Sequence, residues 1–424
     1  MATAARATTA AAPKARTRRV EEDVLLTAIM CLLAFGAVMV YSASSANTVI
    51  QGGGDGTDFL VKYVMYGAVG LCLMSLVARR PLGQVLNFTG PLLGIALLCL
   101  VLVKVPSIGV EVNGATRWLG AGPLTFQPSE LAKLALILYA ARFLAERPRG
   151  FRTLGELLPL GLATGLVVVL VASQPDLGTT LVIIATMMAI LFAAGLPLRW
   201  LAGIAGSGAT LVLLYSMTAD YRRARLTSFL NPWDSAGDIG FQAVQGQIAL
   251  GSGGALGNGL GESVQKIAYL PEAHTDFILA IIGEELGVAG VFGLIVLYGL
   301  VAWAGMRIAQ QAKGRYAALV AGGVTSLILC QATLNMFVVL GLSPLTGVPL
   351  PFISYGSTNL VVLLIGAGLL MNVSRGGSVH LRAVTGGRDQ ARSRADARAD
   401  VRDRRGGDSR ARGAGARGGR RAAG

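Results

Sequence analysis

Charge is scarce in this 424-residue chain: 14% of residues are Asp, Glu, Lys or Arg, against 53% hydrophobic, and mean hydropathy is +0.60. Most of those charges lie outside the long apolar runs, which excludes a soluble globular domain in favour of a polytopic membrane protein. Histidine is rarer still. His274 and His380 are the only two, and the topology derived below sets them on opposite sides of the membrane, so they share no metal site. Cys31, Cys72, Cys99 and Cys330 all fall inside predicted spans with no Cys-x-x-Cys spacing. That excludes a disulfide framework or a zinc site and leaves four small buried hydrophobes. The glycine-rich run at 251–261 lacks a Gly-Lys-Ser/Thr ending and any Gly-x-Gly-x-x-Gly register between strand and helix, so it is no nucleotide loop.

Ten apolar runs are long enough to cross a hydrocarbon core of about 30 Å. They lie near 24–45, 60–78, 90–105, 127–146, 154–173, 177–195, 198–217, 276–305, 316–341 and 352–374, with Pro175 and Pro197 separating the fifth to seventh. Orientation follows from missing charge, because cytoplasmic loops collect Lys and Arg while translocated loops do not. Segments 46–59 and 342–351 contain neither. Arg16, Arg18 and Arg19, Arg79 and Arg80, Arg142, Arg147, Arg149 and Arg152, and Arg307, Lys313 and Arg315 mark the opposite ends. Both termini are therefore expected in the cytoplasm and Asp276 at the outer face. The first span follows a polar leader of residues 1–23 and reads as an uncleaved anchor.

The formal net charge of +14 is mostly a tail effect, since residues 375–424 hold 14 Arg against 5 Asp, a net +9, among Ala, Gly and Ser. The sequence predicts a disordered cytoplasmic tail over 376–424, attracted to anionic lipid or docking an acidic partner. It has no aromatic residue to stack on a base, so nucleic acid is not an expected partner.

Two outer segments, 106–128 and 218–275, are too long and polar for simple turns. In the first, Glu130 and Lys133 follow at helical spacing and either neutralise one another as a structural pair or serve a site. Trp118 is either a site residue or an interfacial belt residue. In the second, the glycines at 251–261 form either an anion-binding nest or turns. Pro344, Pro349 and Pro351 predict a rigid bend or re-entrant turn buried against protein. Asp276 stands at the start of the eighth span, where a carboxylate can cap a helix or mark a site. Glu284 lies about 12 Å deeper at roughly 1.5 Å per residue, beyond capping. Glu284 and Glu285 either belong to the site or lock helices together.

Asn113 to Trp118, Pro128-Ser-Glu-Leu-Ala-Lys133, Gln174-Pro-Asp-Leu-Gly178, Tyr269 to Gly287 and Pro349 to Ser357 together resemble the SEDS family, over roughly residues 24–375. The stretch from Ser263 to Asp276 is most similar to the family's division branch, more than to its elongation or sporulation branches. The resemblance implies an all-α bundle of about ten transmembrane helices with a large outer loop between the seventh and eighth. It also implies a peptidoglycan glycosyltransferase that polymerises lipid II at the outer membrane face during septal cell-wall synthesis. Asp276 corresponds to the family's essential aspartate, expected as general base. Trp118 corresponds to its motif tryptophan, and Arg117, Glu130 and Lys133 fall on motif positions. Lys266 and His274 lie in the same stretch as Asp276. These six are expected to bind the substrate and its pyrophosphate.

One base suffices for this chemistry, because a pyrophosphate leaves as a stable anion and asks for positive charge instead of a second carboxylic acid. Arg117 and Lys133, with Mg²⁺ or another divalent cation held largely by substrate phosphates, are expected to supply it; no organic cofactor is expected. The implied partners are lipid II, a class B penicillin-binding protein and other division proteins. A lipid II flippase is the competing class, since a ten-helix bundle with intramembrane carboxylates also fits a carrier. No inverted repeat is evident between the halves, and the polar residues gather on the outer face. A scaffold that only recruits division partners is a third class.

Overall fold

The structure is a computed structural model and describes residues 12–50, 56–106, 108–112, 115–121, 124–147, 150–151, 153–217, 223–224, 228–238, 240–267, 270–271 and 273–379. The predicted Arg-rich tail from 380 onward, His380, Asn113 and Tyr269 lie outside the described residues. The chain is an α-helical membrane bundle. Its helices are α1 (Ala12–Ile50), α2 (Asp58–Arg79), α3 (Leu82–Leu102), α4 (Pro128–Ala145), α5 (Leu158–Ala172), α6 (Leu177–Ala193), α7 (Leu198–Met217), α8 (Phe241–Ser252), α9 (Ile278–Gln311), α10 (Arg315–Val339) and α11 (Ser357–Ser374).

Each of the ten expected spans coincides with one of these helices, α8 being additional. Among the described residues, 7 helices are long and apolar enough to cross a membrane by composition alone. Helices α6 and α7 are shorter apolar runs, and α4 carries Glu130, Lys133 and Arg142. Helix α11 is buried along almost its whole length and forms the centre. Its close neighbour α2 approaches through small residues: a Cβ on Gly70 would collide with Leu364, and one on Gly368 with the Met74 backbone. Lipid gives helices little hydrophobic reason to associate, so such close backbone packing supplies the attraction.

One expectation needs correction, that of four buried cysteines, and two segments carry structure the sequence reading did not describe. The first helix begins well inside the predicted leader, at Ala12. Its Glu21 accepts from Gln311 at 2.8 Å and lies 3.7 Å from Arg307, while Glu22 pairs with Arg375 at 2.6 Å. Cys31 and Cys72 are exposed on the outside of the bundle, not buried, because they occupy outward helix faces. The segment 106–128, too long and polar for a simple turn, holds strands. It folds as a three-stranded antiparallel sheet of β1 (Gly109–Val112), β2 (Ala115–Ala121) and β3 (Leu124–Phe126), with Val110 opposite Trp118 and a bulge after Val110.

The glycine-rich run has a structural explanation. Helix α9 is broken at Gly287, whose backbone stands at φ 63°, and a break leaves amides and carbonyls without helical partners. The run fills them. Val288 and Ala289 donate to the carbonyls of Gly254 and Ala255 at 3.0 and 3.1 Å, while Asn258 and Gly259 donate to those of Glu284 and Glu285, both at 3.0 Å. Three of the amides considered for an anion nest, those of Gly257, Asn258 and Gly259, are thus committed to carbonyls. Gly257 stands at φ +81°, and a Cβ there would strike the Glu285 carbonyl. Gly257→Ala will therefore destabilise the protein by about 1–3 kcal/mol through strain and overpacking, seen as a lower melting temperature in detergent; an unchanged melt would mean the seam is dispensable.

Residues between α10 and α11 form the predicted re-entrant bend. Val348, Leu350, Phe352 and Ile353 are buried, and buried carbonyls need donors. Side chains from three helices supply them, and one from the bend itself closes the turn. Asn335 donates to Val348 O at 2.8 Å, Gln331 to Pro349 O at 3.0 Å, Tyr298 to Pro351 O at 2.5 Å and Tyr63 to Phe352 O. Ser354 Oγ accepts from Leu350 N at 2.8 Å.

Candidate active site

Asp276 lies half-buried on the turn that leads into α9. Its backbone carbonyl accepts from Asn335 Nδ2 at 2.7 Å, the same amide that holds Val348 O. Asn335 therefore ties the aspartate's backbone to the re-entrant bend. The side chain lies against Gly347, where an added Cβ would stand 3.2 Å from Asp276 Oδ2 and where φ is +68°. Glycine at that position leaves the carboxylate room and lets the chain turn.

His274 braces the turn from the other side. Its ring centroid is 4.4 Å from that of Phe59 and 5.9 Å from that of Tyr355, and its carbonyl accepts from Tyr355 N at 3.0 Å. Phe59 belongs to the first turns of α2, and Lys62 Nζ lies 5.8 Å from its ring. Lys62 is exposed, so a solvent-facing cation stands near the aspartate-bearing turn. Sequence reasoning passed over it, although it falls inside the second expected span, 60–78.

Arg117 is on β2, with Trp118 half-buried beside it. The guanidinium donates from Nε to Gln174 O at 3.0 Å and from a terminal nitrogen to Pro175 O at 2.5 Å. It pins the sheet to the turn before α6. Asp176 caps that helix, accepting from Thr179 N at 3.0 Å, and Gln127 reaches its other oxygen at 3.3 Å. A Cβ on Gly178 would collide with Thr346 O, so the start of α6 also rests on the re-entrant bend.

Glu130 and Lys133 form the expected pair at 2.9 Å, each with 2% of its side chain exposed. Lys133 also donates to Gln331 Oε1 at 2.8 Å, and Asn359 Nδ2 donates to Glu130 Oε2 at 2.7 Å. Lys266 is buried as well, with its ammonium 2.7 Å from Glu285. Sequence reasoning placed both lysines at a pyrophosphate. Their ammonium groups instead face buried carboxylates, a position suited to holding elements in place and unsuited to direct substrate contact in this conformation. It also missed Gln331, Asn335 and Asn359. The signal was available for two of them, because Gln331 and Asn335 lie one turn apart in an otherwise apolar helix and so present two amides on one face.

A polar corner is thus built at one end of a polytopic helical bundle, around one half-buried carboxylate and a re-entrant segment. That defines an integral membrane protein with a membrane-surface site. A family model described as "Cell cycle protein", covering the FtsW, RodA and SpoVE proteins, matches residues 23–378. The chain belongs to this family, the one its motifs resemble. A protein named probable peptidoglycan glycosyltransferase FtsW, from Thioalkalivibrio sulfidiphilus (strain HL-EbGR7), is 41% identical over 373 residues, 86% of this chain and 93% of that one. A chain solved in a peptidoglycan synthase complex matches with TM-score 0.68 and 31% identity, over 83% of this chain and 96% of that chain. The rod shape determining protein RodA of Thermus thermophilus matches with TM-score 0.61 and 31% identity, over 83% and 95%.

Proposed function

We infer that this protein is a peptidoglycan glycosyltransferase of the FtsW kind, polymerising lipid II into β-1,4 glycan at the outer face of the cytoplasmic membrane during division. The observation that carries the chemistry is the half-buried carboxylate of Asp276, beside Gly347 and tied through its backbone to Asn335.

Asp276 acts as general base. It takes the proton from the C4 hydroxyl of one sugar as that oxygen bonds to the anomeric carbon of the other. The anomeric carbon–phosphate oxygen bond breaks, and the electron pair leaves with undecaprenyl pyrophosphate. One displacement of an α-linked donor gives the β linkage by inversion. His274 and Asn335 fix the turn that carries the base, and Arg117 pins the sheet to the turn before α6; Lys62 is an exposed cation for the departing anion. A divalent cation would add positive charge at the pyrophosphate. Among the described residues no three His, Cys, Asp or Glu side chains gather to hold one, so it would rest on substrate phosphates and few protein oxygens. No step above runs through it.

The likeness to a chain in a peptidoglycan synthase complex supports a class B penicillin-binding protein as partner, loop charge supports cytoplasmic termini, and the likeness to proteins named FtsW supports a septal location. Other division proteins, and anionic lipid or an acidic partner for the Arg-rich tail, complete the proposed set.

Purified protein with its transpeptidase, labelled lipid II and Mg²⁺ will give a glycan ladder on a gel. Lipid II crossing vesicle membranes with no polymer formed would replace this reading with a carrier.

A further inference from the structure

Two carboxylates outside the corner are fully buried. Glu284 accepts from Ser263 Oγ at 2.5 Å and from Val264 N at 2.9 Å. Glu285, 0% exposed, accepts from Lys266 Nζ at 2.7 Å and from Ser42 Oγ at 2.7 and 2.8 Å. Lys266 Nζ also donates to Ser42 Oγ at 3.1 Å. Three distant pieces meet here: α1 through Ser42, the outer loop through Ser263 and Lys266, and α9 through the glutamates.

The chain leaves this cluster at Lys266, runs through the turn bearing His274 and Asp276, and returns at Glu285. The ion pair therefore closes the base of a loop with Asp276 near its middle. On the second strand of that base, the glycine-run seam binds Glu284 and Glu285 through their backbones. A buried ion pair is a poor device for stability alone, since apolar residues of similar size do as well or better. Its directional bonds do fix geometry.

We propose that Lys266, Glu285 and Ser42 are positioning residues that hold the Asp276 loop in its reactive geometry and register it against α1. This rests on Asp276 being the base. A misplacement of about 1 Å in a reacting group can cost on the order of a hundredfold in rate, so turnover should respond more than substrate binding.

The test uses full-length protein with its transpeptidase and labelled lipid II. Lys266→Met and Glu285→Gln will each lower kcat about tenfold to a hundredfold, with KM within about twofold. The paired variant Lys266→Met with Glu285→Met removes both charges together. It will keep a wild-type melting temperature and monodisperse elution, yet remain about tenfold or more down in kcat. Lys266→Arg, which keeps the charge, will recover most of the turnover lost in Lys266→Met. Wild-type kcat in the paired variant would overturn the proposal, because the pair would then serve stability only. So would single variants whose loss lies in KM, which would return Lys266 to substrate contact. Asp276→Asn run alongside separates the two readings: if it polymerises normally, the base assignment fails whatever the latch variants do.

Discussion

Asp276→Asn will lower glycan polymerisation by about 10²–10⁴-fold, the usual range for a general base, while lipid II still binds. The exchange keeps shape and removes only charge and basicity. The bond from Asn335 goes to the backbone carbonyl of residue 276, not to its side chain, and so survives the change. The space beside Gly347 is filled equally well by a carboxamide. A fall in rate with intact binding therefore reports on proton removal and not on collapse of the turn. Gel analysis of labelled product, with lipid II binding measured in parallel, checks it. Long glycan from the variant would remove Asp276 as the base.

The second large effect is on stability. Glu130→Ala leaves the Lys133 ammonium buried with Gln331 as its one remaining partner and strands the Asn359 amide. An uncompensated buried charge typically costs about 3–5 kcal/mol, so the variant will melt far lower in detergent or fail to accumulate. Glu130→Leu combined with Lys133→Met removes both charges and will recover most of the loss. Because Lys133 leads through Gln331 to Pro349 O, recovery of stability without recovery of activity would show that the network also shapes the bend beside Asp276. A melt unchanged by Glu130→Ala would contradict the burial seen here.

What the sequence made legible follows the range of each interaction. The spans were readable because twenty apolar residues in a row are a local signal. Glu130 and Lys133 were readable as a pair because three residues on a helix bring two side chains together. Lys266 and Glu285 were not, since a loop of unknown path separates them, and a lysine in a polar segment looks available until its partner is found. The same limit explains the glycines. Gly257 looked like part of a loop with amides to spare, and only the break at Gly287 shows what those amides are for. The three-stranded sheet escaped notice because its strands are 4, 7 and 3 residues long, too short for alternation to stand out beside strong helical runs. Arg117 was matched to a motif position, but its donors go to backbone carbonyls and not toward open space.

The re-entrant bend also sets an order of events during synthesis. Its carbonyls are held by Tyr63 from the second helix, Tyr298 from the ninth, and Gln331 and Asn335 from the tenth. A nascent chain makes the first of these donors hundreds of residues before the segment they serve. Until the last helices emerge and close around it, Tyr63 has no acceptor there and the turn carrying Asp276 has no wall to rest on. The reactive corner is thus among the last parts of the molecule to mature. A chain cut short before α11 would sit in the membrane with most of its spans in place and with no assembled site.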